Sequence, residues 1–191
     1  NHIMSQQHPA TGMYSYFTPL ASGFGRVRST PDNSFWCCVG SGMESHSKHG
    51  DSIWWHRDDR VLVNLYYPSS LDWTEKGVQI EMDTGFPFKD RVRIHLVKAT
   101  AAVDLGLRVP LWCAAPRIRI NGKLARAKIA NRYLMLDQLA AGDVIDLTLP
   151  MSLHHQTMPD DDRILAYLYG PMVLAADLGA SDKPRDQYFD P

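Results

Sequence analysis

Apolar and polar side chains alternate with a period of two over most of the chain from Ser52 onward, the pattern of strands buried on one face. The alternation runs, entirely or in part, through "RVLVNLYYP" (60 to 68), "VQIEMDT" (78 to 84), "RVRIHLVKA" (91 to 99), "AVDLGLRVP" (102 to 110), "RIRINGK" (117 to 123), "RYLMLD" (132 to 137) and "VIDLTLP" (144 to 150). Asn121-Gly122 is a tight-turn signal between two such runs. Short strands parted by Gly, Pro, Asp and Asn turns predict a mainly β fold, an antiparallel β-sandwich over 57–158. The tail "RILAYLYGPMVLAADLG" (163 to 179) is an apolar run split by Gly170-Pro171. It predicts a strand pair, or a strand that leads into or completes a further β domain over 159–191.

Before Ser52 the rhythm differs. Residues 1–8 read as the end of a helix closed by His8-Pro9 and a turn at Thr11-Gly12. The stretch from Met13 to Ser34 is rich in Gly, Pro, Ser and aromatics and predicts a long ordered loop, a length that usually serves function. Gly40 to Gly50 predicts a short helix capped by Ser41, with Glu44 three residues on at capping-box spacing. That register sets Cys37 and Cys38 just ahead of a helix N-terminus. The opening "NHIMSQQHPATGMYSYF" has no obvious start and predicts a piece of a longer protein.

With 191 residues, 45% of them hydrophobic, the chain can bury a substantial core. Lys and Arg total 20 against 21 Asp and Glu, and no single-sign block exists to hold a phosphate backbone or an anionic membrane. No apolar run reaches the length of a spanning helix. Neither nucleic acid nor a membrane is an expected partner. Three cysteines, two of them adjacent, do not make a disulfide framework, and neighbours close only a strained ring.

The chemistry therefore centres on "SFWCCVGSGMESHSKHGD" (34 to 51). A thiolate is both a nucleophile and a zinc ligand, yet an ordinary cysteine is mostly protonated at neutral pH. A helix N-terminus or a divalent metal would hold it ionised. As a bare dipeptide, Cys37-Cys38 also reads as two small residues buried behind Phe35 and Trp36, and zinc pairs usually carry a two-residue spacer.

The strings "YFTPL" (16 to 20), "SFWCCVGSGMESHSKHGDSIWW" (34 to 55), "VNLYYPSSLDW" (63 to 73), "LGLRVPLW" (105 to 112), "INGK" (120 to 123), "GDVIDLTLPM" (142 to 151) and "YGPMVLAADLG" (169 to 179) together resemble the β-L-arabinofuranosidase superfamily, glycoside hydrolase families 127 and 146. The resemblance implies an (α/α)6 barrel followed by β-sandwich domains. Residues 1–56 would be the C-terminal end of that catalytic barrel, ahead of the sandwich. It further implies retaining hydrolysis through a covalent glycosyl-enzyme intermediate, with Cys37 as the nucleophile and a zinc ligand and Cys38 as a second ligand of the Zn2+ cofactor. Tyr16 would lie beside the sugar. The remaining ligands, a glutamate and a third cysteine, and the glutamate acid/base come in that family from a segment N-terminal to this stretch. The expected partners are an arabinose-containing oligosaccharide or glycoconjugate and the N-terminal catalytic barrel of the same protein. By itself the chain is expected to be inactive and to bind zinc weakly, since two ligands cannot close a tetrahedral site.

Two other readings compete: a non-catalytic β-sandwich module that binds carbohydrate or braces a neighbour, and a redox protein using the vicinal thiols. Several residues carry blander expectations. Glu44 reads as a cap, His46 and His49 as a solvated helix face, and His154 and His155 as rings on opposite faces of a strand. Asp160 to Asp162 read as a solvated turn without calcium-loop spacing, and Trp54, Trp55, Trp73 and Trp112 as core at strand boundaries.

Overall fold

The computed structural model describes residues 6–17 and 26–177. It divides into two compact units, 51–174 and a smaller one made of 1–50 with 175–191.

The larger unit is built of strands. One five-stranded sheet has the spatial order β1 (Trp54–Arg57), β2 (Arg60–Val63), β6 (Val103–Arg108), β10 (Tyr133–Leu139), β9 (Lys128–Ala130). A six-stranded sheet runs β3 (Ser69–Trp73), β4 (Val78–Thr84), β5 (Arg91–Ala99), β11 (Val144–Thr148), β7 (Arg117–Ile120), β8 (Lys123–Ala125). The strands β12 (Leu153–Thr157), β13 (Leu165–Tyr169) and β14 (Met172–Val173) form a third, small sheet.

Alternation explains the core. Every second residue of β4, β5 and β11 points inward, giving Ile80, Ile94, Leu96, Ile145 and Leu147, and β2, β6 and β10 answer with Val61, Val63, Leu105, Leu107 and Leu134. All of them belong to one buried cluster, so the two large sheets share a single apolar layer, as the sandwich expectation requires.

One pairing departs from that expectation. β2 and β6 run parallel, with Val61 opposite Leu105. The chain between them passes through β3, β4 and β5 of the other sheet, and a crossover of that length permits a parallel return where a hairpin cannot. The other pairings are antiparallel. At Asn121-Gly122 the hairpin joins β7 to β8 with φ of 51° and 77°, both positive as a type I′ turn demands. In the tail, β13 turns back into β14 at Gly170 (φ 55°), where a Cβ would meet Met151 Cγ at 2.7 Å, so the two apolar stretches either side of Gly170-Pro171 pair as strands.

A bulge interrupts β10 between Leu136 and Leu139, with Gln138 at φ 59°. Arg60 fills the gap in hydrogen bonding. Its guanidinium donates to the carbonyls of Leu105 (3.2 Å) and Leu136 (3.3 Å) and to the carboxylates of Asp104 (3.2 Å) and Asp137 (2.6 Å). Asp104 in turn accepts the Gln138 N–H at 2.9 Å.

In the smaller unit the one helix among the described residues is α1 (Cys37–Ser47). Residues 1–5 of the expected N-terminal helix and 18–25 of the expected loop lie outside the described residues. Gln7 pairs with Tyr14 across the turn at Gly12 (φ 74°), and Ser15 pairs with Arg28. Among the described residues no helix is long and apolar enough to cross a membrane.

Candidate active site

Helix α1 starts at Cys37, preceded by Trp36 in extended conformation (φ −69°, ψ 140°). The cysteines are thus its first two residues, and the expected start at Gly40 is corrected. Ser41 lies inside the helix, where its carbonyl accepts a hydrogen bond from Ser45 Oγ at 2.7 Å, and it caps nothing. Glu44 forms an i, i+4 ion pair with Lys48 at 2.7 Å in place of the expected capping box.

The helix has a specific seat. Gly42 is its buried residue, and it lies against the ring of Tyr14 so closely that a Cβ there would stand 2.5 Å from Tyr14 Cε1. Tyr14 is itself fixed at both ends. Its backbone N–H donates to Ser29 Oγ at 3.0 Å and its carbonyl accepts the Ser29 N–H at 2.7 Å. Its hydroxyl meets His46 Nε2, one turn beyond Gly42, at 2.9 Å. His46 and His49 are both exposed, as expected of a solvated face, and they are also linked: His46 Nδ1 and His49 Nε2 are 3.3 Å apart, and His46 is tied to the seat.

Two residues after Tyr14, Tyr16 packs edge-on against Phe17 and Trp36, with ring centroids 4.5 Å and 6.1 Å away. Its hydroxyl lies 3.7 Å from Cys37 Sγ. The structure therefore brings Tyr16, Cys37 and Cys38 together.

The electrostatics separate the two thiols. Cys37 is exposed, and its pKa is lowered, first by the Tyr16 hydroxyl, then by the Cys38 thiol and by the backbone N–H groups of Cys38 and Cys37 at the helix start. Cys38 is half-buried and shifts the other way, because burial and the neighbouring Cys37 both disfavour its charge. Tyr16 is pushed up by the same sulfur, which keeps its O–H available as a donor. Cys37 thus has the attributes of a reactive thiol, and the buried-pair alternative does not describe it.

Two adjacent sulfur donors suit a soft divalent ion such as zinc, and they supply half of a tetrahedral set. Among the described residues no group of three or more His, Cys, Asp or Glu could hold a metal. Cys113 is buried in the sandwich unit, where burial raises its pKa.

The residues that sequence reasoning missed are Tyr14 and Gly42. The available signal was a glycine inside a helical stretch, since a helix tolerates that cost where another group must approach the backbone closely.

Comparison with known proteins gives the following. A model described as "Beta-L-arabinofuranosidase, GH127 catalytic domain" matches residues 1–51, and one described as "Beta-L-arabinofuranosidase, GH127 middle domain" matches residues 60–151. No curated protein matches at a significant level. Among solved structures, the GH127 beta-arabinofuranosidase BT3674 is similar with a TM-score of 0.76 and 20% identity, over 88% of this chain and 30% of that one. A chain described as a glycoside hydrolase matches with a TM-score of 0.76 and 23% identity, over 91% of this chain and 32% of its own. The GH127 beta-L-arabinofuranosidase Ara127N from Geobacillus stearothermophilus T6 matches with a TM-score of 0.65 and 25% identity, over 77% of this chain and 25% of its own. The chain thus spans about a third or less of the solved proteins it resembles.

Proposed function

Because the chain belongs to glycoside hydrolase family 127, matching its catalytic-domain model over residues 1–51 and its middle-domain model over residues 60–151, we propose that it is part of a retaining glycosidase that releases L-arabinofuranose and uses Cys37 as its nucleophile. The observation that carries this reading is the position of Cys37 Sγ: exposed at the first residue of α1, 3.7 Å from the Tyr16 hydroxyl, with its pKa drawn down.

Chemically, the Cys37 thiolate attacks the anomeric carbon, a carbon–sulfur bond forms, and the bond from that carbon to the leaving oxygen breaks. The departing oxygen takes a proton from an acid elsewhere in the protein. Water then displaces the sulfur, giving up its proton to the same group and restoring the thiolate, so that two inversions yield net retention. The Tyr16 O–H stabilises the sulfur anion before attack and after release, and Phe17 and Trp36 hold its ring in place. A zinc ion held by Cys37, Cys38 and ligands from the rest of the protein would keep the thiolate charged at neutral pH.

The test is Cys37→Ala in the intact protein, assayed on a 4-nitrophenyl β-L-arabinofuranoside. Hydrolysis is expected to fall by about six orders of magnitude, the scale of losing a covalent nucleophile. Activity within tenfold of the unaltered protein overturns the proposal.

A further inference from the structure

The outer face of the six-stranded sheet carries a trough of about 570 Å³, floored by β4, β5, β7 and β11 and closed at one end by the turn between Gly85 and Lys89. Strand register sorts its polar side chains into two rows. In the first, Asp83, Arg93, Asp146 and Arg119 succeed one another across the sheet with alternating sign. Arg93 Nε donates to Asp146 Oδ1 at 2.8 Å, so this row neutralises itself.

The second row does not. Thr148 stands opposite Arg91 on one side and Arg117 on the other, with no acid between them; Thr148 and Arg91 line the trough, and Arg117 stands at its rim. Lys89 reaches the same end of the trough, its stem lying 2.8 Å from where a Gly85 Cβ would be. Among the described residues Arg91, Arg117 and Lys89 form no ion pair, although the chain as a whole has a net charge of −1. Arg91 and Arg117 stand two strand spacings apart, about 10 Å at the backbone, and Lys89 joins them from the turn, so positive charge gathers around Thr148 and favours an anion there.

The neighbouring row narrows the choice of anion. A polyphosphate laid across the sheet would carry its charge onto a row that is already neutral, where the Asp83 and Asp146 carboxylates have no hydrogen to donate to it. The same carboxylates accept hydroxyl groups well. A ligand that bears a carboxylate and, one strand spacing away, hydroxyls satisfies both rows.

We infer that this trough binds an acidic oligosaccharide, with a uronate carboxylate over Thr148 held by Arg91 and Lys89, Arg117 adding its charge from the rim, and ring hydroxyls on Asp83 and Asp146. The choice of a sugar among carboxylate ligands rests on the glycoside hydrolase reading. The residues that line the trough include no thiol, and its role in this proposal is to hold an acidic glycan against the protein.

The test is calorimetric titration of the intact protein with tetragalacturonic acid, with neutral xylotetraose and inorganic tripolyphosphate as the comparison probes. Tetragalacturonate is expected to bind at least tenfold tighter than either. Arg91→Gln and Arg117→Gln, both exposed outer-face changes, are each expected to weaken it about tenfold, the scale of one charge-assisted contact, and rising salt to weaken it further. Absence of binding, equal or tighter binding of xylotetraose or tripolyphosphate, or unchanged affinity in both Arg variants whose melting matches the unaltered protein overturns the inference. Because the readout is binding, a failure here is distinct from a failure of the Cys37 assignment, which only turnover reports.

Discussion

Replacing Gly42 with alanine tests whether the seat of α1 is as tight as the structure makes it. Neither Gly40 nor Gly42 has positive φ, so the backbone accepts alanine at both, and a helix interior gains about 1 kcal/mol from Gly→Ala on propensity. The surroundings differ. At Gly40 nothing lies within 4 Å of the new Cβ, whereas at Gly42 three atoms of the Tyr14 ring stand at 2.5, 2.6 and 2.8 Å. The ring cannot simply step aside, because Tyr14 is held by Ser29 through two hydrogen bonds and by His46 through its hydroxyl. Overpacking of that kind costs about 1–3 kcal/mol. Set against the propensity gain, Gly42→Ala is expected to lie between neutral and about 2 kcal/mol destabilised, and Gly40→Ala to be stabilised by about 1 kcal/mol. The assay is amide hydrogen exchange across Cys37–Ser47, with faster exchange expected in Gly42→Ala and equal or slower exchange in Gly40→Ala. Adding Tyr14→Leu to Gly42→Ala removes the ring atoms in conflict and should recover part of the lost protection. Equal protection in the two single variants would refute the account of how the thiol-bearing helix is held.

Two further expectations concern the thiols and the sandwich. In the metal-free protein, iodoacetamide should modify Cys37 before Cys38 at neutral pH: a lowered pKa keeps Cys37 ionised below the pH at which an ordinary thiol loses its charge, and Cys38 is shifted upward. Tyr16→Phe removes the largest cause of the lowering, so the Cys37 rate profile should move to higher pH; peptide mapping over pH 6 to 10 checks both statements, and a Tyr16→Phe profile identical to the original contradicts the second. Arg60→Leu strips the bulge in β10 of its donor to Leu105 and Leu136 and leaves Asp104 and Asp137 without their cation, which should cost about 2–4 kcal/mol in urea unfolding; a loss under about 0.5 kcal/mol would show that the bulge needs no such support.

The central strands of the sandwich were legible because each is buried on one face only: β4 and β5 coincide with the alternating runs 78–84 and 91–99. Asn121-Gly122 was legible because few other pairs accept positive φ at both positions. The edge strands were not. Trp54–Arg57, Ser69–Trp73 and Lys128–Ala130 are short and each has a neighbour on one side only; the first and third do not alternate in burial, and the second does so only between half-buried and exposed positions. Nor did local pattern reveal the parallel pairing of β2 with β6, which depends on the path of a long crossover. At the candidate site, the Cys-Cys string and Tyr16 could be singled out from sequence, but the start of α1 could not. The helix continues through Gly40 and Gly42, residues that ordinarily argue for an end, because Tyr14 fills the space that a side chain at position 42 would need. A contact across 28 positions leaves no mark in a local window.

The claim on which the account turns is that a sugar becomes covalently bound to Cys37. The most direct measurement is to incubate the intact protein with a cyclophellitol-type arabinofuranose epoxide and map the adduct by peptide mass spectrometry. The account predicts one equivalent of label on the peptide spanning Phe35 to Lys48, at Cys37. Label on a carboxylate, on Cys38, or on no residue while turnover is abolished would contradict it.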